Sequence, residues 1–447
     1  MDANEHPIES DDRRLGNLDL AVLWGDLAVG LLVLAAGALL VPGMGLAAAA
    51  GAIVVGSAVG VVPLALVGWA GAREGLPGMR LFRPVLGARG SWIPTVFNVV
   101  QLLGWTALEI WAMARVASVV SREAVGVELF PLWLLVVTVG CTALALGGPV
   151  RVVRVWLERF GVWVVGACGL WITWRLAGAI GDAWGVPGVG GWPTFPLAVD
   201  LVIAMCVSWL PLVADYNRFA RGRGVAGTAV GFGLGNAWFL FLGAALAATG
   251  VGPDAVGIGA AVADLGGGLV VLALLVAAES DEAFANIYSA AVSLRNLVPR
   301  VPHRAAVIGI ASVAAVLAAT LSMADYQSFL LLIGSVFVPL FGVFLAAYFL
   351  RGRRGEARPG LDVGALAAWV LGFLAFQWSA PTGPGWWVDA AEGLAAWLHL
   401  PMPLWDGGAS LPGFAMAFVA ALALVRRRGA APRPPAPPTD RQTRSSA

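Results

Sequence analysis

Seven stretches of this chain run on without a single charged side chain: 27–72, 129–150, 224–253, 305–324, 326–350, 363–388 and 407–425. A helix needs about 20 apolar residues to cross a bilayer, so runs of this length constrain the fold more than any other feature. The first run is long enough for two spans, divided near Pro42 and Gly43. Four weaker runs, at 92–119, 156–180, 197–219 and 266–292, hold a few charges each and bring the predicted count to twelve. Composition points the same way. Hydrophobic residues make up 59% of the chain and charged residues only 12%, against about 25% charged in a soluble domain. That deficit excludes an ordinary soluble enzyme, a nucleic-acid binder and a disordered protein, and implies a polytopic all-α membrane protein.

The basic residues orient it. All 28 are Arg, and with the N-terminus placed in the cytoplasm 25 of them fall in cytoplasmic loops or tails; only Arg115, Arg122 and Arg175 fall near the other face. By the positive-inside rule both ends are cytoplasmic, and the compartment is the plasma (inner) membrane. The predicted organisation is a cytoplasmic segment at 1–19, a transmembrane domain at 20–425 and a basic, Pro-rich disordered tail at 426–447 whose expected role is topological anchoring. Residues 1–19 lack the charged and apolar pattern of a signal peptide. Cys141, Cys168 and Cys206 lie in apolar runs and read as packing residues. His6, His303 and His399 sit at ends or in loops, so no transition-metal site is expected.

Polar groups at membrane depth are costly and normally face a cavity or a partner. In the third span Asn98, Gln101, Trp105 and Glu109 recur at steps of three and four, which places them on one helical face. Hydrogen bonding between helices and a ligand pocket both account for such a stripe. The sixth span carries Trp209 beside Pro211, which interrupts a helix; a simple kink and a functional break are both compatible with it. Gly25, Asp26 and Gly30 predict a matching interruption near 25–31 in the first span, five spans earlier, and paired interruptions are the sequence sign of an inverted repeat. Trp105 and Trp209 fall near the bilayer centre and could sandwich a flat ring. The eighth span places Glu279, Asp281 and Glu282 ahead of Asn286; these acids either line a water-filled path or sit solvated at the interface.

These residues carry a family resemblance. GLPGMRLFRPVLGARGSWIPTVFNVVQLLGWTALE from Gly75, SWLPLVADYNRF from Ser208 and FANIYSAAVS from Phe284 resemble the nucleobase:cation symporter-1 family, in particular its cytosine and hydroxymethylpyrimidine transporters. The resemblance covers spans one to ten. It implies two inverted five-helix repeats, at about 20–180 and 197–350, with spans one and six broken, and two extra helices at about 361–425. It implies a ring stacked between Trp105 and Trp209 and hydrogen-bonded by Glu109 and Asn286, with Gln101 alongside. It implies a cation site built from Ala28, Leu31, Ala277, Ser280 and Asp281. Asp281 stands where the sodium-type pattern has Ser or Thr, and Glu109 where some relatives carry a neutral amide, so the coupling ion is Na+ or H+.

The expected function is cation-coupled import of an aminopyrimidine by alternating access, with no enzyme activity, cofactor, nucleic acid or obligate protein partner. A permease for purines, uracil, hydantoin or allantoin is the alternative. A channel or facilitator is the rival from another class, and it would need no broken helices.

Overall fold

The computed structural model describes residues 7–148, 161–222, 225–253, 255–320, 326–355, 357, 359–399 and 408–426. The tail from 427 onward lies outside the described residues, as do Arg151, Arg154, Arg159, Arg223 and Arg358 of the charge pattern.

Among the described residues the chain is helical, with one isolated bridge between Leu15 and Ala220. Spans two (Leu46–Glu74), three (Trp92–Val125), four (Phe130–Gly147), five (Val162–Ala183), seven (Val225–Ala247) and ten (Tyr326–Phe344, continued as a π-turn to Leu350) form unbroken helices. Among the described residues six helices are long and apolar enough to cross a membrane, and the first span adds a seventh as a bent pair. That pair, Asn17–Asp26 and Leu31–Ala38, turns by 62° at the break. Span six is likewise in two pieces, Phe195–Ser208 and Val213–Asn217, with Pro211 in the gap. Span eight runs as Gly268–Ala278 and Ser280–Leu297, which meet at Glu279. Spans nine (His303–Ala318), eleven (Val363–Ser379) and twelve (Ser410–Leu424) are shorter apolar helices.

Burial sorts these helices into an inner and an outer set. Span four buries only Cys141 and Ala145 and exposes Leu132, Leu135, Val136 and Val139, an apolar face suited to lipid. Spans one and six, and the second half of span eight, are buried nearly all round. The packing repeats itself with the halves exchanged. Span one lies on span seven as span six lies on span two, and span nine packs on span three as span four packs on span eight. Spans one and five touch, and so do spans six and ten. This is the pattern that two inverted five-helix repeats produce.

Both central contacts depend on close backbone approach. A Cβ on Gly243 would run into the carbonyl of Leu34, and one on Gly71 would lie 2.5 Å from the Cβ of Ala214. Small residues of this kind let membrane helices approach where no hydrophobic force drives them together.

The arginine-rich ends of the spans are tied into one layer. The Ile8 N–H donates to the Gly75 carbonyl at 3.0 Å, and Arg13 Nη1 donates to the Ala72 carbonyl at 2.6 Å. The Arg14 and Leu15 N–H groups both donate to the Phe219 carbonyl, and Arg221 N–H returns a bond to Leu15. Arg83 bonds Asn296, and Arg353 pairs with Asp362 at 2.9 Å. Thus the N-terminal segment and the ends of spans two, six, eight and ten meet on a single face.

Two elements depart from the expected map. A short helix, Ala255–Asp264, precedes span eight. Span eleven, expected over 363–388, ends at Ser379, and a separate helix covers Gly385–Trp397. Pro381 and Pro384 stop the helix, and Gln377 closes the turn by accepting from Thr382 N–H and donating to its carbonyl. Trp386 and Trp397 on the second helix are exposed, as expected at a membrane interface.

Gly243→Ala should destabilise the protein by about 1–3 kcal/mol, because the new methyl meets fixed backbone. Gly309→Ala, where a Cβ would meet nothing within 4 Å, should leave the melting temperature in detergent unchanged; equal shifts for the two would contradict the packing described.

Candidate functional site

The two broken spans leave a cavity between them at the centre of the bundle. Span one contributes Leu32 and Val33, span three Trp105 and Glu109, span six Met205, Ser208 and Trp209, and span eight Glu282 and Asn286. Trp105 and Glu109 are one turn apart on their helix, as are Glu282 and Asn286 on theirs, so two facing helices each present two groups. The cavity measures about 10 Å³, room for roughly one water. Asn286 Nδ2 donates to Glu109 Oε1 at 2.7 Å and so closes the site on itself. Glu109 Oε2, Glu282 Oε1 and Trp105 Nε1 are buried with no hydrogen-bond partner. Buried polar atoms are nearly always satisfied, and three orphans around one cavity mark a place for a ligand.

The indoles are braced from behind. Trp209 meets Trp24 edge-on at 5.9 Å and Phe232 at 6.3 Å. Trp24 is held by Nε1 donating to Asn217 Oδ1 at 2.8 Å. Trp105 meets Tyr326 at 6.0 Å and Phe329 at 5.4 Å, both edge-on. A ring wedged between Trp105 and Trp209 therefore presses on side chains that are already fixed, provided the Glu109–Asn286 bond opens to admit it.

Gln101 does not line this cavity. Its Nε2 donates to Asn98 Oδ1 at 2.8 Å and to the Ser208 carbonyl at 3.1 Å, and Asn98 donates to Ser293. Both amides of the third-span stripe thus tie helices together, and Gln101 holds a carbonyl next to the span-six break. The SWLPLVADYNRF segment is architectural in the same way. Asp215 Oδ1 accepts from Gly78 N–H at 2.9 Å, Tyr216 donates to the Ala285 carbonyl at 3.0 Å, and Arg218 reaches the Tyr288 hydroxyl at 3.1 Å.

The span-one break has its own partners. Leu31 N–H, the first free donor of the second half-helix, donates to Glu279 Oε2 at 2.7 Å. The Leu32 carbonyl accepts from the Tyr326 hydroxyl at 2.9 Å. A Cβ on Gly30 would lie 2.5 Å from Glu282 Oε1 and 2.6 Å from Glu279 Oε2, so only glycine lets these carboxylates reach the break. Asp281 faces Asp26 across it, carboxyl to carboxyl.

The five residues expected to hold the cation are not brought together. Ala28, Leu31 and Asp281 are buried near the break. Ala277 and Ser280 instead line a separate apolar cavity of about 520 Å³ with Met113, Ala117 and Trp133. Ser280 Oγ donates to the Ala277 carbonyl at 2.7 Å, within its own helix. Helical geometry explains the split. Glu279, Glu282 and Asn286, spaced three and four apart, take the inward face, and at about 100° per residue Ser280 turns out of it. The oxygen groups at the break are the carboxylates of Asp26, Glu279 and Asp281, of which Asp281 belongs to the expected set. Hard oxygens of this kind suit a proton or a small cation. No group of three or more His, Cys, Asp or Glu with metal-holding geometry occurs among the described residues.

Of the acids that the sequence places on a water-filled path or at the interface, Glu282 lines the cavity; Glu279 as the cap on the half-helix and Trp24 as the brace of Trp209 were not expected. The spacing 279, 282, 286 held the signal for the first two, since it puts both acids on the helical face of Asn286.

Two broken spans around a central cavity, in a bundle with lipid-suited outer faces, define a helical membrane transporter. Residues 7–383 match the family described as permease for cytosine/purines, uracil, thiamine, allantoin. The chain belongs to this nucleobase-cation symporter-1 family. The hydantoin permease of Microbacterium maritypicum is 23% identical over 377 residues, covering 79% of this chain and 77% of the relative. The cytosine permease of Escherichia coli K12 is 25% identical over 345 residues, covering 73% and 77%. Among solved structures, Mhp1, a nucleobase-cation-symport-1 family transporter, superposes in a closed conformation with bromovinylhydantoin bound at TM-score 0.77, with 19% identity and 95% of each chain covered. A Na+-coupled sialic acid symporter superposes at TM-score 0.62, with 12% identity, over 92% of this chain and 90% of that one. At these identities the structural likenesses establish the fold.

Glu279→Ala leaves Leu31 N–H without its acceptor in a dry interior, a loss of about 1–3 kcal/mol. The expected result is a lowered melting temperature for Glu279→Ala and a value near wild type for Glu279→Gln, which keeps an oxygen in place; thermal unfolding in detergent reads both.

Proposed function

We propose that this chain imports an aminopyrimidine, such as cytosine or 4-amino-5-hydroxymethyl-2-methylpyrimidine, together with Na+ or H+ by alternating access. It does so across the plasma (inner) membrane with both termini cytoplasmic, an orientation supported by the 25 of 28 Arg on one side. The observation that carries the reading is the convergence of Trp105, Glu109, Trp209 and Asn286 on one cavity between two broken helices. Indole faces on either side hold a planar ring by stacking. A carboxylate at position 109 accepts from an exocyclic amino group and a ring N–H, and the Asn286 amide both donates and accepts. A site built this way discriminates against analogues lacking the amino group, because its buried acceptors are then left unpaired.

Two features argue against other classes. The half-helix end at Leu31, which would attract an anionic group, is already occupied by Glu279, so a carboxylate-bearing substrate finds no complement there. A cavity with room for one water is no open pore, which disfavours a channel. Hydantoin is the second substrate reading, favoured by the hydantoin permease among the relatives. Its imide N–H groups would also suit Glu109.

Competition of labelled cytosine uptake by a panel of pyrimidines and hydantoins separates the two, with aminopyrimidines expected to compete and hydantoins not. Trp105→Ala and Trp209→Ala should each raise KM by roughly fivefold, from stacking worth about 1 kcal/mol. Glu109→Gln should lower uptake of aminopyrimidines more than that of uracil; unchanged uptake would remove Glu109 from the site. For the ion, uptake that survives sodium removal and collapses with a protonophore identifies H+, and the reverse identifies Na+.

A further inference from the structure

Every ionisable group on the cavity wall is a carboxylate: Glu109 from span three and Glu282 from span eight. Behind them lie Glu279, Asp281 and Asp26, all buried. Among the described residues, the ionisable groups that bear on Glu282 are the carboxyls of Glu279, Glu109, Asp281 and Asp26. Elsewhere the bundle does pair buried charge, as with Asp215 beside Arg218. A buried carboxyl with no positive partner keeps its proton, and it ionises only against a matching charge. A cavity walled by such acids therefore offers a counter-charge to a cationic ligand.

An independent feature shows that a ligand belongs there. Trp105 Nε1 is buried, lines the cavity and has no acceptor. The donor calls for a ring that presents a lone pair on that edge. Trp209 lies across the same cavity, and the face of an indole attracts cations more strongly than that of any other side chain. A neutral aminopyrimidine would satisfy Glu109 and Asn286 but leave Glu282 Oε1 with no counterpart.

We infer that the substrate is taken up as a cation, a positively charged aminopyrimidine whose amino edge bonds Glu109 and whose ring charge lies between the two indoles and faces Glu282. This rests on the proposed aminopyrimidine reading and narrows it to the charged form.

The test is equilibrium binding to the purified full chain, followed by quenching of tryptophan fluorescence. Two probes are compared in alkaline buffer: the permanent cation 4-amino-1,2-dimethylpyrimidinium and neutral 4-amino-2-methylpyrimidine. The expected result is tighter binding of the cation by roughly tenfold or more, as a desolvated cation–π contact with a carboxylate provides. Glu282→Gln should abolish that preference, bringing the ratio of the two affinities close to one. Equal or weaker binding of the cation overturns the inference and leaves the aminopyrimidine reading intact, as does a preference that survives Glu282→Gln. If neither ring binds, the aminopyrimidine reading fails and the inference falls with it. Should Glu282→Gln not fold, the wild-type comparison of the two probes decides alone.

Discussion

A helix that breaks inside a bilayer frees backbone groups that water cannot reach, and the rest of this structure follows from how those groups are satisfied. At the span-one break the donor is Leu31 N–H and its partner is Glu279. At the span-six break the acceptor is the Ser208 carbonyl and its partner is Gln101. Each bond comes from a helix of the opposite half or of the surrounding frame, so the breaks hold the centre together while opening it. Because Glu279 must reach span one, its helix turns the 279, 282, 286 face inward. That rotation delivers Glu282 and Asn286 to the cavity and carries Ser280 away from it.

The polar residues of the interior thus divide by task. Asn98, Gln101, Asp215, Asn217 and Arg218 each bond other helices and fix their positions. Glu109, Glu282 and Trp105 retain unsatisfied atoms around a single cavity, whereas the unpaired oxygens of Gln101 and Asp215 belong to residues that do not line it. Polar groups are costly at membrane depth, so the gathering of orphans round one cavity is what marks the site.

Much of this was legible in the sequence because lipid allows so few patterns. Charge-free runs marked the spans, and Pro211 with the glycines near 25–30 located both breaks. Trp105, Glu109, Trp209 and Asn286 could be paired as one site from their spacing and from the family resemblance. What was not legible depended on rotation about helix axes. Gln101 sits on the same stripe as Trp105, yet a carbonyl freed one span away claims it. Ala277 and Ser280 were placed at the cation site by resemblance, whereas the acids beside them compete for the inward face. The end of span eleven was hidden because the residues from Thr382 to Val388 are apolar enough to look membrane-embedded, and only the Gln377 turn reveals the stop.

The glycine-lined contacts between spans one and seven, and between spans six and two, have a mechanical consequence. Helices that interlock through large side chains must climb over one another to move, and each ridge is a barrier. Faces in which backbone lies directly on backbone, as at Gly243 on Leu34 and Gly71 on Ala214, have no such ridges. They act as bearings, stiff against separation yet smooth along their length. The amplitude of any rocking is then governed less by the core than by the hydrogen-bonded layer that ties Ile8 through Leu15 to Gly75 and Phe219.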